Sequence, residues 1–347
     1  VVFTIAYAVG QIFFGPLSDR HGRKPVIQGG ILLFFVASVG AAFATDFTML
    51  LVFRALQAIG TAALRVVAMA LVRDCFSGEA MGRVLAFTFT VFMIVPIVAP
   101  VFGQVIALTV GWRWIFGLLA AIGAILAGWM SLRLGETLDP ADRRGMSFSS
   151  LWTALVEIVT NRVALGYTTA MTMTTVALFG YIVSVQQIYG ELYGLGVWFP
   201  AAFAATALGM AVTSLFSGRI VRAFGMRPVI HGGLAVFTLA GFILAVAAGF
   251  GLPSFFLTFL SISIAMIAFG MLQSQAGALA MEPLGHVAGI ASSLIGVVTT
   301  AVGAIGGGLI GRAYDGTVEP LAWAFALGGL MSLAAVLWTE KGRLFRR

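Results

Sequence analysis

Charge is what this sequence has least of. Asp, Glu, Lys and Arg make up 10% of its 347 residues, hydrophobic residues 60%, and mean hydropathy is +1.04. A soluble domain with so little charge could not give its outer helices polar faces, so the composition excludes the ordinary soluble classes. Cysteine occurs once, at Cys75, which excludes a disulfide framework. The three histidines, His21, His231 and His286, read as loop residues without ligand spacing, and no metal site is expected. Strand-like alternation is absent, which argues against a β-barrel. No P-loop is present, so nucleotide-driven chemistry is not expected. No nucleophile–base pair or metal-ligand set falls at membrane depth, so the chain is not expected to be an enzyme. No basic leader precedes the apolar run at Val1, and the chain reads as cut inside that run.

What is present is a series of long apolar segments: 1–16, 26–45, 48–72, 84–108, 114–132, 163–188, 197–217, 229–249, 254–281, 288–311 and 321–338. Most match the ~20 helical residues that cross a ~30 Å hydrocarbon core. Forty-three glycines suit helices packed closely in lipid. The expected class is an all-α membrane protein. The longest polar interruption runs from Arg133 to Arg162 and encloses a half-apolar stretch, Leu151 to Val159, read as a short interfacial helix.

A shift of 203 residues superposes Gly15 on Gly218, Gly22 on Gly225 and Pro25 on Pro228. It also pairs Val26-Ile27 with Val229-Ile230 and Gly29-Gly30 with Gly232-Gly233. The same shift later pairs Gly82 with Gly285 and Gly103 with Gly306. Two tandem halves follow: an N-terminal bundle over 1–132, a linker over 133–162 and a C-terminal bundle over 163–347. The segment opening the second half has its counterpart about 40 residues before Val1, so eleven of twelve helices in two six-helix bundles are expected here, with the first helix absent.

The basic residues set an expected orientation. With the 15–25 loop placed in the cytoplasm and the spans alternating, sixteen of the 20 Lys and Arg residues fall on the cytoplasmic side, the C-terminus included. Net charge of +7 then faces anionic lipid, and nucleic acid is not an expected partner.

The loop from Gly15 to Pro25 holds Gly15, Leu17, Asp19, Arg20, Gly22, Arg23 and Lys24. It resembles the signature loop between helices two and three of the major facilitator superfamily, a family of secondary transporters. Gly15 is expected to allow a close helix approach and Gly22 a tight turn. Asp19, beside three cations, suits a latch on a neighbouring helix end and its charges. The second-half copy puts Arg222 where Asp19 stands, so its latch is expected to be weak. Arg54, Gln57, Thr61 and Arg65 share one helix stripe, and Arg54 to Gly60 resembles the fourth-helix motif of drug:proton antiporters. That likeness implies a role for Arg54, Gln57 and Arg65 in coupling or substrate response. Pro96, Pro100 and Gly103 resemble the antiporter motif of the fifth helix, with a proline kink and close packing at Gly103. Val72-Arg73-Asp74, Trp112-Arg113-Trp114-Ile115-Phe116 and Glu136-Thr137-Leu138 resemble the bicyclomycin-resistance-like branch of multidrug efflux proteins, and Asp74 joins the expected latch.

In the second half, Tyr181, Gln186, Gln187, Gln273 and Gln275 are the cavity candidates, while each threonine of the seventh helix reads as bonded to its own backbone. All 13 acidic residues fall in loops or near span ends. A proton antiporter needs a carboxylate that titrates inside the protein, and relatives commonly keep one on the first helix. These 347 residues alone are therefore expected not to couple. The resemblance implies a monomeric exporter of drug-like or toxic small molecules in a bacterial-type inner membrane, with no cofactor and a proton gradient as its energy source. An uptake symporter or metabolite permease on the same fold, and an inactive truncated fragment, are the alternatives.

Overall fold

Apolar runs of 20 or more residues in lipid have one economical backbone solution, since a helix satisfies every N–H and C=O internally. The computed structural model of the protein describes residues 2–76, 98–138, 148–251 and 253–345, with positions 84, 88 and 95. Among the described residues the regular elements are helical. In order they are α1 (Val2–His21), α2 (Arg23–Ala42), α3 (Phe47–Cys75), α4 (Val98–Thr109), α5 (Arg113–Arg133), α6 (Phe148–Thr160), α7 (Arg162–Val185), α8 (Phe199–Phe224), α9 (Met226–Gly249), α10 (Phe255–Met281), α11 (Ala288–Arg312) and α12 (Glu319–Thr339). A π-helical turn, Gln186–Leu192, extends α7. Nine of the described helices are long and apolar enough to cross a membrane, α1, α4 and α6 being the others. Ten of the apolar segments coincide with a helix over their described residues, the described end of 84–108 falls in α4, and α6 forms over the half-apolar stretch of the linker.

Side chains set several helix starts. Asp46 accepts from the Met49 N–H at 2.7 Å to cap α3. Asn161 accepts from Val163 and Ala164 at 3.0 Å to cap α7. Ser254 accepts from Leu257 at 3.3 Å to cap α10. Such caps satisfy N–H groups that the helix itself leaves unpaired.

The chain divides into two compact units, Val1–Val95 with Val101–Phe148, and Ser149–Arg347 with Pro96–Pro100. In the first, α3 packs on α1 and α2, and α5 packs on α2. In the second, α10 packs on α8 and α9, and α12 packs on α9. The 203-residue offset therefore relates three-dimensional neighbours as well as letters. It carries the ends of α1 and α4, and the start of α2, onto the ends of α8 and α11 and the start of α9.

Lipid tails offer helices little hydrophobic drive to associate, so close approach through small residues carries the packing. Gly60 on α3 shows this most directly: a Cβ there would lie 2.6 Å from the Gly30 carbonyl oxygen and 2.7 Å from the Phe34 nitrogen of α2. The second unit has a larger buried core, with Tyr167, Ile230, Leu234, Phe237, Met266 and Phe325 almost fully covered. His231 departs from the loop position read from sequence. It lies within α9 and is completely buried, because α9 begins directly after Gly225 and draws His231 into its second turn.

Candidate functional site

Gly22 separates α1 from α2 with no intervening loop. Its φ of +97° is one that a side-chain-bearing residue rarely adopts, and a Cβ there would sit 2.9 Å from the Glu136 carboxyl carbon. The reversal aims Arg23 back between the helix ends, where its side chain is 8% exposed. Its Nε donates to Asp74 Oδ2 at 2.9 Å. Its Nη1 donates to Ser18 Oγ at 2.7 Å and to the Asp19 carboxylate. Ser18 in turn donates to the Gly15 carbonyl at 2.8 Å, and Thr137 Oγ1 donates to Asp74 at 3.2 Å.

Glu136, just beyond α5, accepts from the backbone N–H groups of Arg23 at 2.8 Å and Lys24 at 3.2 Å. It also accepts from Thr137 at 3.0 Å and Leu138 at 3.1 Å. A carboxylate on the first turn of α2 satisfies orphan donors and meets the positive end of the helix dipole. Partial burial alone would raise its pKa. The four backbone donors outweigh that and hold the carboxyl below its ordinary value.

This geometry revises the expected latch. Arg23, not Asp19, is the buried centre. Asp19 is its i, i+4 partner and 49% exposed, and the carboxylate on the neighbouring helix end is Glu136. Arg20 points outward, and Lys24 contributes its backbone. Among the described residues Gly15 makes no close approach, since a Cβ there would find Val66 Cγ1 at an ordinary 3.8 Å.

The second unit rebuilds the arrangement with different residues. Gly225 repeats the turn, at φ +88° and ψ 158° against 97° and 158° for Gly22. Arg227, in the first turn of α9, donates from Nε to Glu340 Oε1 at 2.9 Å and faces Glu282 at 3.7 Å. The Tyr167 hydroxyl donates to the same Glu340 oxygen at 2.7 Å. Arg162 lies over the Trp338 ring at 4.7 Å and donates to the Trp338 carbonyl. The second-half knot thus has a cation–carboxylate pair of its own. Arg222 is exposed and takes no part, and Glu340 supplies the missing carboxylate from the end of α12, as Glu136 does from the end of α5.

On α3 the stripe resolves into a buried relay. Arg54 Nη1 donates to Gln57 Oε1 at 2.6 Å, Gln57 Nε2 to Ser38 Oγ at 2.7 Å, and Ser38 to the Phe34 carbonyl at 2.7 Å. The guanidinium lies over the rings of Phe3 at 4.3 Å and Phe116 at 5.8 Å. Gln57 is fully buried. A cation within a span is tolerable under these conditions, with hydrogen bonds on one side and π faces on the other. Arg65 is exposed and stands apart from this relay.

The second-unit cavity candidates are not gathered into one site. The Tyr181 ring stacks on Phe203 at 5.7 Å and meets Tyr189 edge-on at 6.4 Å, deep in the core. Gln273 spends its amide nitrogen on α7, donating to the Met171 carbonyl and to the Thr174 and Thr175 hydroxyls at 3.0–3.3 Å. Gln275 donates to its neighbour Ser274 at 3.3 Å. Gln186 and Gln187 lie in the π-helical turn, Gln186 exposed and the Gln187 carbonyl facing the Tyr314 hydroxyl at 3.5 Å. Pro96 lies outside the described residues. Pro100 and Gly103 fall in α4, and among the described residues a Cβ on Gly103 would meet nothing within 4 Å.

The residues that sequence reasoning undervalued are Ser18, Glu136, Tyr167, Arg227 and Glu340. The 203-residue offset could have found the pair Arg227–Glu340, because it places Glu340 level with Thr137, one residue from Glu136.

The sequence profile described as Major Facilitator Superfamily matches residues 1–308. Among curated proteins, a "Bicyclomycin resistance protein homolog" of Haemophilus influenzae is 29% identical, over 99% of this chain and 87% of its own length. "Multidrug resistance protein MdtL" of Escherichia fergusonii is 27% identical, over 99% of this chain and 85% of its own. Among solved structures, a D-xylose-proton symporter superposes with a TM-score of 0.72 at 15% identity, covering 99% of this chain and 87% of that one, which bears on the fold alone. The profile spans most of the chain and the fold agrees: the chain belongs to the Major Facilitator Superfamily and is a multi-pass membrane transporter of small molecules.

Proposed function

We propose that this transporter exports drug-like or toxic small molecules in exchange for protons, by alternating access of its N-terminal bundle (1–132) and C-terminal bundle (163–347) joined by the 133–162 linker. The observation that carries the reading is the likeness, along 99% of the chain, to relatives whose names record drug resistance. In this reading Arg23, Asp19, Asp74 and Glu136 form a latch that holds one conformation and releases in the other, with Arg227 and Glu340 as its second-half equivalent. Arg54 and Gln57 respond to substrate or proton occupancy. A desolvated guanidinium sharing a hydrogen bond with a buried amide is sensitive to any charge that arrives or leaves nearby. The basic loops and the C-terminus face the cytoplasm of a bacterial-type inner membrane, and the protein works as a monomer.

The test is accumulation of a fluorescent lipophilic cation in cells expressing the protein or its Arg54→Ala variant, with expression matched in the membrane fraction. Export predicts low accumulation with the native protein and a return towards the empty-vector level with the variant. Equal accumulation in native, variant and empty-vector cells across a panel of cationic and neutral drugs would sink the export reading.

A further inference from the structure

We propose that Phe3 of α1 and Phe116 of α5 are positioning residues for transport: their ring faces hold the Arg54 guanidinium against Gln57 through its charge. This role rests on the reading in which Arg54 responds to substrate or proton occupancy. Arg54 lies within a spanning helix, and among the described residues no carboxylate pairs with it. A guanidinium there is costly unless something replaces its water. One nitrogen is met, since Nη1 donates to Gln57 Oε1 at 2.6 Å. The flat faces of the cation need a partner of another kind, and the negative face of an aromatic ring is one. The guanidinium carbon lies 4.3 Å from the Phe3 ring centroid and 5.8 Å from that of Phe116. Both distances are inside the ~6 Å reach of the interaction, which is strongest where water is excluded. The two rings come from helices other than α3, so they fix Arg54 from outside its own helix.

Each ring is itself held. Tyr7, one turn later on α1, lies parallel to Phe3 at 6.4 Å and 8°. Phe116 stands in the first turn of α5, edge-on to Trp112 at 6.1 Å and 87°. The Arg113 guanidinium lies over the Trp112 ring at 4.6 Å, and its Nη2 donates to the Ala44 carbonyl at 3.2 Å. Ala44 lies in the turn between α2 and α3, so the start of α5 is bolted to the chain that leads into α3. The Trp112–Phe116 stretch thereby gains a task beyond an aromatic belt at the lipid boundary: it sets a ring face over a cation. Leucine in place of either ring would fill much of the same space and offer the charge nothing.

The test replaces Phe3 or Phe116, in the intact protein, with phenylalanines bearing one, two or three ring fluorines, membrane level and elution profile being matched. Fluorine drains the ring face and leaves its shape nearly unchanged, so a side chain that only fills space is indifferent to it. Two readouts are taken: the rate of drug efflux from energised cells, and the rate at which phenylglyoxal modifies Arg54 in the purified protein, followed by peptide mass spectrometry. The expected result is a stepwise fall in efflux with each fluorine at Phe3, reaching about 5–30-fold for three. A parallel rise in Arg54 modification should accompany it, and both changes should be smaller at Phe116, whose ring is farther away. Trp112→Leu should also raise Arg54 modification, by releasing Phe116. Trifluorinated protein in which Arg54 is modified no faster than in the native chain overturns the proposal, whatever its efflux. So does a rise confined to Phe3→Leu and Phe116→Leu, which would make the rings packing alone. A stepwise rise in modification with no drug efflux by the native protein would uphold the clamp on Arg54 and sink the export reading.

Discussion

Replacing Arg23 with lysine keeps the charge and removes the fork, and the structure lets the cost be worked out contact by contact. Two nitrogens of the guanidinium serve different partners: Nε reaches Asp74 at 2.9 Å, and Nη1 reaches Ser18 at 2.7 Å together with Asp19. A lysine ammonium is a single point on a flexible stem and cannot face both at once. Hydrogen bonds to charged groups contribute about 1.5–3 kcal/mol each. The Asp19 contact is discounted because that carboxylate is half exposed and solvent screens it. The net expectation for Arg23→Lys is a loss of ~1.5–3 kcal/mol, concentrated in the contact to Asp74, which is 21% exposed. Arg23→Ala should cost more, ~3–5 kcal/mol, because it strands a largely covered carboxylate without its cation. The assay is equilibrium unfolding of the purified protein in mixed micelles, with Asp74→Asn closing a double-mutant cycle. A coupling energy of at least ~1 kcal/mol between positions 23 and 74 is expected. Coupling near zero, with Arg23→Lys as stable as the native protein, would refute the view that Arg23 is the buried centre of the knot.

Three further outcomes follow from the same geometry. Glu136 has its pKa held below the ordinary value of 4.5 by backbone donors, so its contribution is complete above pH 4.5 and is lost as pH falls through the depressed folded value. Unfolding midpoints measured from pH 6 downward should therefore decline more steeply for the native protein than for Glu136→Gln, and parallel curves would remove Glu136 from the account. Glu340→Gln should weaken the contacts to both Arg227 and Tyr167 and cost ~1–3 kcal/mol; an unchanged thermal midpoint would show that the second-unit knot adds no stability. Gly60→Leu drives a side chain into the Gly30–Phe34 backbone of α2, an overpacking cost of at least ~1–3 kcal/mol. It should abolish monodisperse material in size-exclusion chromatography, whereas Gly103→Leu, with no atom of the described residues within 4 Å of its Cβ, should not.

Much of the fold was written in the sequence because hydrocarbon leaves the backbone so few options. Uninterrupted apolar runs become helices, and the tandem offset located the two positive-φ turns at Gly22 and Gly225. What escaped was pairing across long chain separations. Glu136 bonds to residues more than 100 positions earlier, and no periodicity connects a carboxylate after one helix to the N–H groups starting another. The weight given to Asp19 over Arg23 had a similar origin: the loop motif names both, but burial decides which is central, and burial depends on where α3 delivers Asp74. Gln273 looked like a cavity residue because a buried amide is costly in lipid. Three acceptors on α7 meet that need instead, two of them hydroxyls of threonines that the sequence reading assigns to their own helix backbone.

Proton-coupled export is tested most directly in everted membrane vesicles from cells expressing the protein, acidified inside by respiration and followed with a pH-sensitive dye. Adding an exported drug should discharge the gradient at once, as protons leave the lumen in exchange for drug entering it, and vesicles carrying Arg54→Ala should show little discharge; such discharge by these 347 residues would replace the expectation, drawn from the placement of the 13 acidic residues, that they alone do not couple. A gradient untouched by drugs whose accumulation the protein lowers in cells, or one deepened by their addition, would contradict proton antiport.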